Sequence, residues 1–235
     1  MIGKRCFGSP PPGVDLEKLT GTLIVIEGPD SSGRSTQIAL ITQWLEEKGY
    51  AVSQVGLKQS ALVGAELEKA KQGNVLSPRT LSLFYATDFY DQLENKIIPA
   101  LRAGFVVLAD RYIYTLMARD VVRGAEPEWV ESIYSGAIIP DAVFYLMVSP
   151  QTLVERTFQA KAQLDYWESG MDLGLGRDWF SSFILYQRRM RAQFTRLMKK
   201  YGFEGVNANR SLTALDRDLQ ARITRVLEGK LDPTA

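Results

Sequence analysis

The sequence contains no histidine and only one cysteine, Cys6. A single cysteine cannot form an internal disulfide, and a structural zinc site of the Cys/His type needs ligands that this chain does not have. A histidine general base, a Ser-His-Asp triad and a Cys-His pair are excluded as well. Any reaction must therefore rely on Asp, Glu, Arg, Lys, Ser or Thr side chains, on backbone amides or on a bound metal.

Long apolar runs and a strong net charge are also missing. No apolar run exceeds the length of a strand, which argues against a membrane span, and residues 1–20 have no apolar segment of the kind found in secretory signals. The formal net charge is +1, so there is no electrostatic basis for a nucleic acid or an anionic membrane as the main partner. We expect a cytoplasmic protein in which residues 1–20 form a flexible tail.

Short apolar runs alternate with helical patterns over residues 21–230, which we interpret as one domain. The runs are rich in β-branched and aromatic residues, as buried parallel strands are. They cover residues 23–26, 51–55, 105–109, 142–148 and 203–206. The alternation predicts an α/β fold of three layers, a five-stranded parallel sheet flanked by helices, with ligands bound outside the carboxyl ends of the strands.

A glycine-rich segment follows the first predicted strand and precedes a helix. It reads Gly28-Pro29-Asp30-Ser31-Ser32-Gly33-Arg34-Ser35-Thr36, which has the spacing of the P-loop, G-x-x-x-x-G-K-[ST], with arginine in place of lysine. In such a loop the backbone N–H groups face the phosphates, a cation reaches the β- and γ-phosphates, and a hydroxyl, here that of Ser35, ligates Mg²⁺. The segment predicts a P-loop NTPase fold that binds ATP.

Arg34 is the unusual residue of this loop. Arginine keeps the positive charge but is longer and planar, so the exchange for lysine is not conservative. Three interpretations are open: a working variant loop, a loop that binds nucleotide without fast transfer, and a loop that has lost its function.

A second polar site follows the third predicted strand, at Asp110-Arg111-Tyr112. An aspartate at the carboxyl end of a strand near a P-loop can hold Mg²⁺ together with Ser35. Arg111 can clamp the phosphate of an acceptor with two hydrogen bonds. The alternative is a surface Asp-Arg pair that caps the next helix; behind a buried strand, in a chain with a P-loop, we favour the functional interpretation.

Several motifs together resemble those of thymidylate kinases, over about residues 21 to 228. They are Glu27-Gly28-Pro29-Asp30 running into Gly33-Arg34-Ser35-Thr36, Leu83-Phe84-Tyr85-Ala86, Ile98-Pro99-Ala100-Leu101, Asp110-Arg111-Tyr112 and Pro140-Asp141. The resemblance implies a nucleoside monophosphate kinase fold, Mg-ATP as the donor, dTMP as the acceptor and a homodimer.

The resemblance also implies roles for individual residues. Asp30 would lie near the sugar and phosphate of the acceptor, Phe84 would stack on its base, and Arg156 would face the transferring phosphoryl group. The candidates for catalysis are then Arg34, Asp110, Arg111, Asp30 and Arg156. The candidates for acceptor binding are Asp30, Phe84, Asp88, Arg111, Tyr112 and Arg119.

A lid is implied over about residues 159–178, which contain three glycines. Lys161 and Arg177 are its candidate phosphate contacts, and solvated loop charges are the alternative. In the helix that follows, Arg188 and Arg189 are interpreted mainly as part of a solvated face, with a phosphate contact as the alternative.

Three departures from the family pattern all concern the acceptor. Asp88 stands where an arginine usually helps to read the thymine, residues 56–59 replace Arg-Glu-Pro-Gly, and Arg119-Asp120 replace Tyr-Gln. One explanation is a charge swap, in which Asp88 pairs with Arg119 or Arg123. The other is a different acceptor, because a carboxylate suits an amino group such as that of cytosine.

We therefore interpret the chain as a kinase that transfers the γ-phosphoryl group of Mg-ATP to a deoxynucleoside monophosphate, with dTMP as the favoured acceptor. The acceptor is already ionised, so no strong base is needed. The alternatives are a kinase for another nucleotide or a nucleoside, with Glu27 or Asp30 as the base, and a nucleotide-binding regulator with weak or no catalysis.

Overall fold

The computed structural model describes residues 3–72, 76–160, 166–167 and 169–229. Its centre is a five-stranded parallel sheet in the order β2-β3-β1-β4-β5. The strands are β1 (Thr22–Glu27), β2 (Val52–Gly56), β3 (Val106–Asp110), β4 (Ala142–Met147) and β5 (Glu204–Asn207). Each lies within one residue of its predicted run, and the predicted fold class is confirmed.

Nine helices surround the sheet within the described residues. They are α1 (Arg34–Glu47), α2 (Gly64–Gln72), α3 (Pro78–Gln92), α4 (Ile98–Arg102), α5 (Ile113–Val122), α6 (Pro127–Ile133), α7 (Pro150–Ala160), α8 (Trp179–Tyr201) and α9 (Leu212–Leu227). A π-helical turn, Leu93–Ile97, joins α3 to α4, and single 3-10 turns cover Leu16–Lys18 and Met171–Leu173. The ends follow local chemistry: Ser77 Oγ accepts the Thr80 N–H at the start of α3, and Gly202, with φ +70°, ends α8.

The core has two parts, one on each face of the sheet, as the alternation along β1 requires. Leu23 and Val25 belong to the part that includes residues of α3, α5 and α8, whereas Ile24 and Ile26 belong to the part built with α1 and α9. All four side chains are fully buried. The three-layer arrangement therefore leaves the carboxyl ends of the central strands as the open edge at which a site can form.

The N-terminal segment is docked, contrary to the flexible tail expected from the sequence. The N–H of Phe7 donates to the carbonyl of Ala137, and its ring meets those of Tyr114 and Tyr201 edge-on, with centroids 6.1 and 5.4 Å away. Lys4 forms an ion pair with Asp141. The reason is the partial burial of the Phe7 ring against the core, which the absence of an apolar segment in residues 1–20 did not reveal.

Within the described ranges, none of the helices is both long enough and apolar enough to cross a membrane.

Candidate active site

The loop of residues 28–36 lies between β1 and α1 and has the tight curvature that its glycines allow. A Cβ on Gly28 would lie only 3.1 Å from Cβ of Leu146, so a larger residue would push the loop off the sheet. Gly33 has φ +88°, and Ser31 has φ +62°, a conformation that non-glycine residues rarely adopt. Strained backbone of this kind is typical of loops that bring N–H groups to one point.

Arg34 lies beneath this loop and is only 8% exposed. Its Nη1 donates to the carbonyls of Gly28 (2.6 Å) and Pro29 (3.0 Å), and its Nε pairs with Asp110 at the end of β3. The other carboxylate oxygen of Asp110 accepts the hydroxyl of Ser35 at 2.9 Å. The structure thus brings together the predicted cation, hydroxyl and carboxylate, which are 75 to 76 residues apart in the sequence.

Asp30 and Arg111 form a second ion pair beside the first. The Nη2 atom of Arg119 lies 3.7 Å from the other oxygen of Asp30. Burial raises the pKa of Asp30, but the charges of Arg111, Arg119 and Arg34 outweigh it, so the pKa lies far below its usual range. Asp30 is therefore ionised, and it holds Arg111 in place.

Arg111 has two features that point to a ligand. Its φ is +72°, an uncommon conformation directly after a strand, and its Nε is buried without a hydrogen-bond partner. Burial, followed by repulsion from Arg34, lowers its pKa. A buried guanidinium with an unused donor, on a residue with a strained backbone, is suited to bind an anionic group next to Asp30.

Glu27, the last residue of β1, supports this arrangement from below. It is completely buried, and its carboxylate accepts the backbone N–H groups of Tyr112 (3.0 Å) and Thr115 (3.2 Å) and the Thr115 hydroxyl. Burial raises its pKa against the opposing effect of these hydrogen bonds. Because its oxygens are used in this way, Glu27 acts as a support for the start of α5 and is poorly suited to be the base considered above.

A cavity of about 260 Å³, called the central cavity below, opens beside these residues. One part of its lining is polar and comes from the loop, from α5 and from the turn between β3 and α5: Gly28, Pro29, Asp30, Arg111, Thr115 and Arg119. The other part is mainly apolar and includes Met147, Leu153, Phe183, Tyr186, Met190 and Phe194, from β4, α7 and α8. The charged groups therefore face an apolar wall, which is the usual composition of a small-molecule site.

Sequence reasoning did not single out Thr115 or the apolar wall contributed by α8. A signal for Thr115 was available, since Thr115 lies four residues before Arg119 and therefore on the same face of α5. The wall residues of α8 have the spacing of any core-facing helix, so the pattern gave no reason to assign them to a site.

Asp88 lies away from the central cavity. Its carboxylate accepts the N–H groups of Lys58 (2.8 Å) and Ser60 (2.9 Å) and the side-chain amide of Gln92 (3.1 Å). Burial raises its pKa, opposed by these hydrogen bonds. The charge swap suggested by the sequence is not formed, because Arg119 pairs with Asp30 and Arg123 with Asp172.

Phe84 and Tyr112 are likewise absent from the lining of the central cavity. Phe84 is half-buried on α3 and packs against the core. Tyr112 is 3% exposed; its hydroxyl donates to the carbonyl of Ile138, and its ring packs against Phe89. The structure thus gives Tyr112 a place in the core.

Arg156 on α7 reaches the loop from the donor side. Its guanidinium donates to the carbonyls of Ser32 (3.4 Å) and Ala208 (3.1 Å).

Of the candidate lid contacts, Arg177 is exposed and Lys161 lies outside the described residues. Arg188 and Arg189 are both exposed, and of the two only Arg188 lines the central cavity.

The donor set fits a magnesium-bound nucleotide. A serine hydroxyl and a carboxylate 2.9 Å apart are hard oxygen ligands of the kind that Mg²⁺ prefers when phosphates supply the others. Among the described residues there is no cluster of three or more Cys, His, Asp or Glu side chains that would hold a metal alone. The buried hydroxyl of Ser32, inside the loop, has no partner and can donate to a phosphate oxygen.

Comparison with known proteins agrees with this geometry. A model of the thymidylate kinase family matches residues 26–219. The chain is 36% identical over 215 residues to a probable thymidylate kinase 2 of Saccharolobus solfataricus. The matched region covers 91% of this chain and 99% of that protein. It is 27% identical over 218 residues to a probable thymidylate kinase of Pyrococcus abyssi. Here the matched region covers 90% of this chain and 100% of that protein. A family match over most of the chain, with a full-length relative above 30% identity, means that this chain belongs to the thymidylate kinase family.

Proposed function

We propose that the chain transfers the γ-phosphoryl group of Mg-ATP to dTMP and forms dTDP. The observation that carries the proposal is the meeting of two charged pairs at one edge of the sheet. Arg34 and Asp110 lie under the phosphate loop, and Asp30 and Arg111 lie beside them on the central cavity. Family membership supports the same reaction, since the relatives are named thymidylate kinases.

The donor side consists of the loop amides, Arg34 and Ser35. Arg34 donates hydrogen bonds to two loop carbonyls and to Asp110 in this structure, and its charge under the loop would attract the β- and γ-phosphates of ATP. Ser35 and Asp110 would hold Mg²⁺, which when bound neutralises charge on the phosphates. Arg156, already in contact with the loop, would add a further positive charge near the transferring group.

The acceptor side is organised by Asp30. It holds Arg111 in one position, so the unused Nε and the rest of the guanidinium can bind two oxygens of the acceptor phosphate. That phosphate is ionised near neutral pH and attacks without help from a strong base. Positioning and charge neutralisation account for most of the catalysis of such a transfer.

Exclusion of water is the remaining requirement, because water would otherwise take the phosphoryl group. The apolar wall of the central cavity supplies a dry surface next to Arg111. Residues 166–167 and 169–178, together called the lid segment below, would cover the site during the reaction, as lids of this kind do.

We further propose a cytoplasmic homodimer. The family resemblance supports the dimer, and Leu62 and Leu83 are 65% and 48% exposed near and on α3, as interface residues are before a partner covers them. Light scattering coupled to gel filtration tests the dimer, and an Asp substitution at Leu83 should favour the monomer.

The activity is tested by measuring ADP formation from ATP with a panel of acceptors: dTMP, dUMP, dCMP, CMP, UMP, dGMP and AMP. We expect dTMP to stimulate turnover most strongly and Arg34→Ala to abolish that stimulation. Lys200→Ala is the control, because it removes the cation of an exposed ion pair with Glu131, and neither residue lines the central cavity. ATP binding without turnover under every acceptor would instead favour a nucleotide-binding regulator, and a different preferred nucleotide would reassign the acceptor.

A further inference from the structure

Arg123, the residue that directly follows α5, lies at the centre of a cluster that joins three parts of the fold. Its Nε and Nη2 donate to the two oxygens of Asp172 at 2.8 and 3.3 Å. Nη2 also donates to the carbonyl of Trp167 at 2.9 Å, and Nη1 donates to the hydroxyl of Tyr186 at 3.0 Å. Arg123, Trp167, Asp172 and Tyr186 are called the Arg123 cluster below.

The cluster is buried and well matched in charge. The side chains of Arg123 and Asp172 are 6% and 9% exposed. The guanidinium carbon lies 5.7 Å from the ring centroid of Trp167 and 5.3 Å from that of Tyr186, within the range of cation–π attraction. Removal of either charge would leave the other buried without an opposite charge, so the ion pair favours the arrangement in which the members of the cluster meet.

The members of the cluster belong to different walls of the site. Trp167 and Asp172 lie in the lid segment, and the indole N–H of Trp167 also donates to the carbonyl of Lys71 on α2 at 3.1 Å. Tyr186 on α8 lines the central cavity, and so does Arg119, one helical turn before Arg123. Arg123 itself is not part of that lining, so any effect it has on the reaction acts through these neighbours.

We propose that Arg123 is a positioning residue that fixes the lid segment and Tyr186 against the acceptor side of the central cavity. The proposal rests on the function proposed above. With the cluster intact, the lid segment stays docked on α5 and α2, and the cavity keeps the shape that takes the acceptor. With the cluster loosened, acceptor binding weakens and water enters.

Entry of water has a defined chemical consequence. The oxygen of a water molecule bonds to the γ-phosphorus of ATP, the bond from that phosphorus to the β–γ bridging oxygen breaks, and the products are ADP, inorganic phosphate and a proton. The ratio of this hydrolysis to acceptor phosphorylation therefore reports how well the lid segment is held.

The test uses Arg123→Lys, which keeps the charge but cannot reach all three partners, and Tyr186→Phe, which removes only the hydroxyl that Arg123 contacts. For both we expect the acceptor KM to rise, by about tenfold for Arg123→Lys, with a smaller change in kcat. Hydrolysis of ATP without acceptor should increase relative to transfer. Hydrogen exchange of the full-length protein should show faster exchange of residues 169–178 in both variants.

Arg222→Lys is the matched control, since Arg222 also forms a two-partner ion-pair cluster, with Glu204 and Asp218, away from the site. It should change neither the acceptor KM nor the hydrolysis ratio, whatever its effect on Tm. An unchanged KM, hydrolysis ratio and exchange rate in Arg123→Lys would overturn the proposal. If the wild-type protein shows no acceptor-dependent turnover, the proposed function fails, while the exchange measurement still tests whether Arg123 holds the lid segment.

Discussion

The hydroxyl of Ser35 donates to the carboxylate of Asp110 at 2.9 Å, and this contact joins the first turn of α1 to the end of β3. The opposite oxygen of the same carboxylate pairs with Arg34. The carboxylate of Asp110 thus binds both the hydroxyl and the cation of the phosphate loop. The loop motif by itself does not predict this connection to β3. The consequences of this connection are open to measurement.

Asp110→Asn should reduce kcat by about 100-fold or more, because the amide cannot supply the second negatively charged oxygen beside Ser35 for the metal. ATP binding should weaken less, since the loop amides remain. Steady-state kinetics at several Mg²⁺ concentrations is the measurement, and we expect the apparent Mg²⁺ requirement to rise. Asp218→Asn, at a surface ion pair, serves as the control. An Asp110→Asn enzyme with normal kcat would contradict the assigned role.

Arg34→Lys should retain activity within about tenfold, or 1.4 kcal/mol, of the wild type, because lysine keeps the charge under the loop. In the wild type, one nitrogen of Arg34 donates to the carbonyls of both Gly28 and Pro29. We expect a loss of activity because lysine does not reproduce these two hydrogen bonds together with the contact to Asp110. Single-turnover rates with saturating ATP separate this effect from weaker binding. A loss as large as that of Arg34→Ala would mean that the planar guanidinium itself is required.

Glu27→Ala should destabilise the fold by about 3 kcal/mol, because the buried N–H groups of Tyr112 and Thr115 lose their acceptor. Glu27→Gln keeps one acceptor oxygen and should cost less. Urea unfolding followed by circular dichroism gives both values. Equal stability of the alanine variant and the wild type would show that water replaces the carboxylate at this position.

Asp120→Asn should stabilise the protein in a pH-dependent way. Burial raises the pKa of Asp120 to about 6, against the lowering effects of the Ser82 hydrogen bond and of Arg123 and Arg119. The folded protein therefore binds this proton more tightly than the unfolded chain does. The stability that the proton provides is complete below about pH 4 and is lost as the pH rises through about 6.

Asparagine is neutral at every pH and can still accept the Ser82 hydroxyl. The stability difference between Asp120→Asn and the wild type should therefore grow from a small value at pH 4 to about 3 kcal/mol above pH 7. Unfolding free energies of the two proteins, measured at matched pH values from 4 to 8, test this. A difference that stays constant over that range would show that Asp120 titrates normally.

Phe7→Ala should lower the stability by about 2 kcal/mol and Tm by about 6 °C, because the ring of Phe7 packs on Tyr114 and Tyr201. Leu212→Ala is a suitable control, since Leu212 is 51% exposed. Thermal unfolding of the three proteins is the measurement. No change for Phe7→Ala would restore the view of residues 1–20 as a tail without a structural role.

Much of the fold was predictable, because strands and helix ends have local signals. The five apolar runs, the serine before Pro78 and Gly202 at the end of α8 all function as their types suggest. The docked N-terminal segment was not predictable, since its contacts are with residues far along the chain. Asp88 illustrates the same limit for the site: its acceptor oxygens are used by the loop at Lys58 and Ser60, about 30 residues earlier.

The sequence by itself determined the parallel α/β sheet, the phosphate loop and the identity of Arg34, Ser35, Asp110 and Arg111 as the groups that meet there. These follow from patterns within a few residues and from the rule that parallel strands end at one edge. Only the tertiary structure decided which charges pair. Asp30 takes Arg111, 81 residues away, and Arg123 takes Asp172, 49 residues away, because the partner of a buried charge depends on the path of the chain and on which groups are desolvated together.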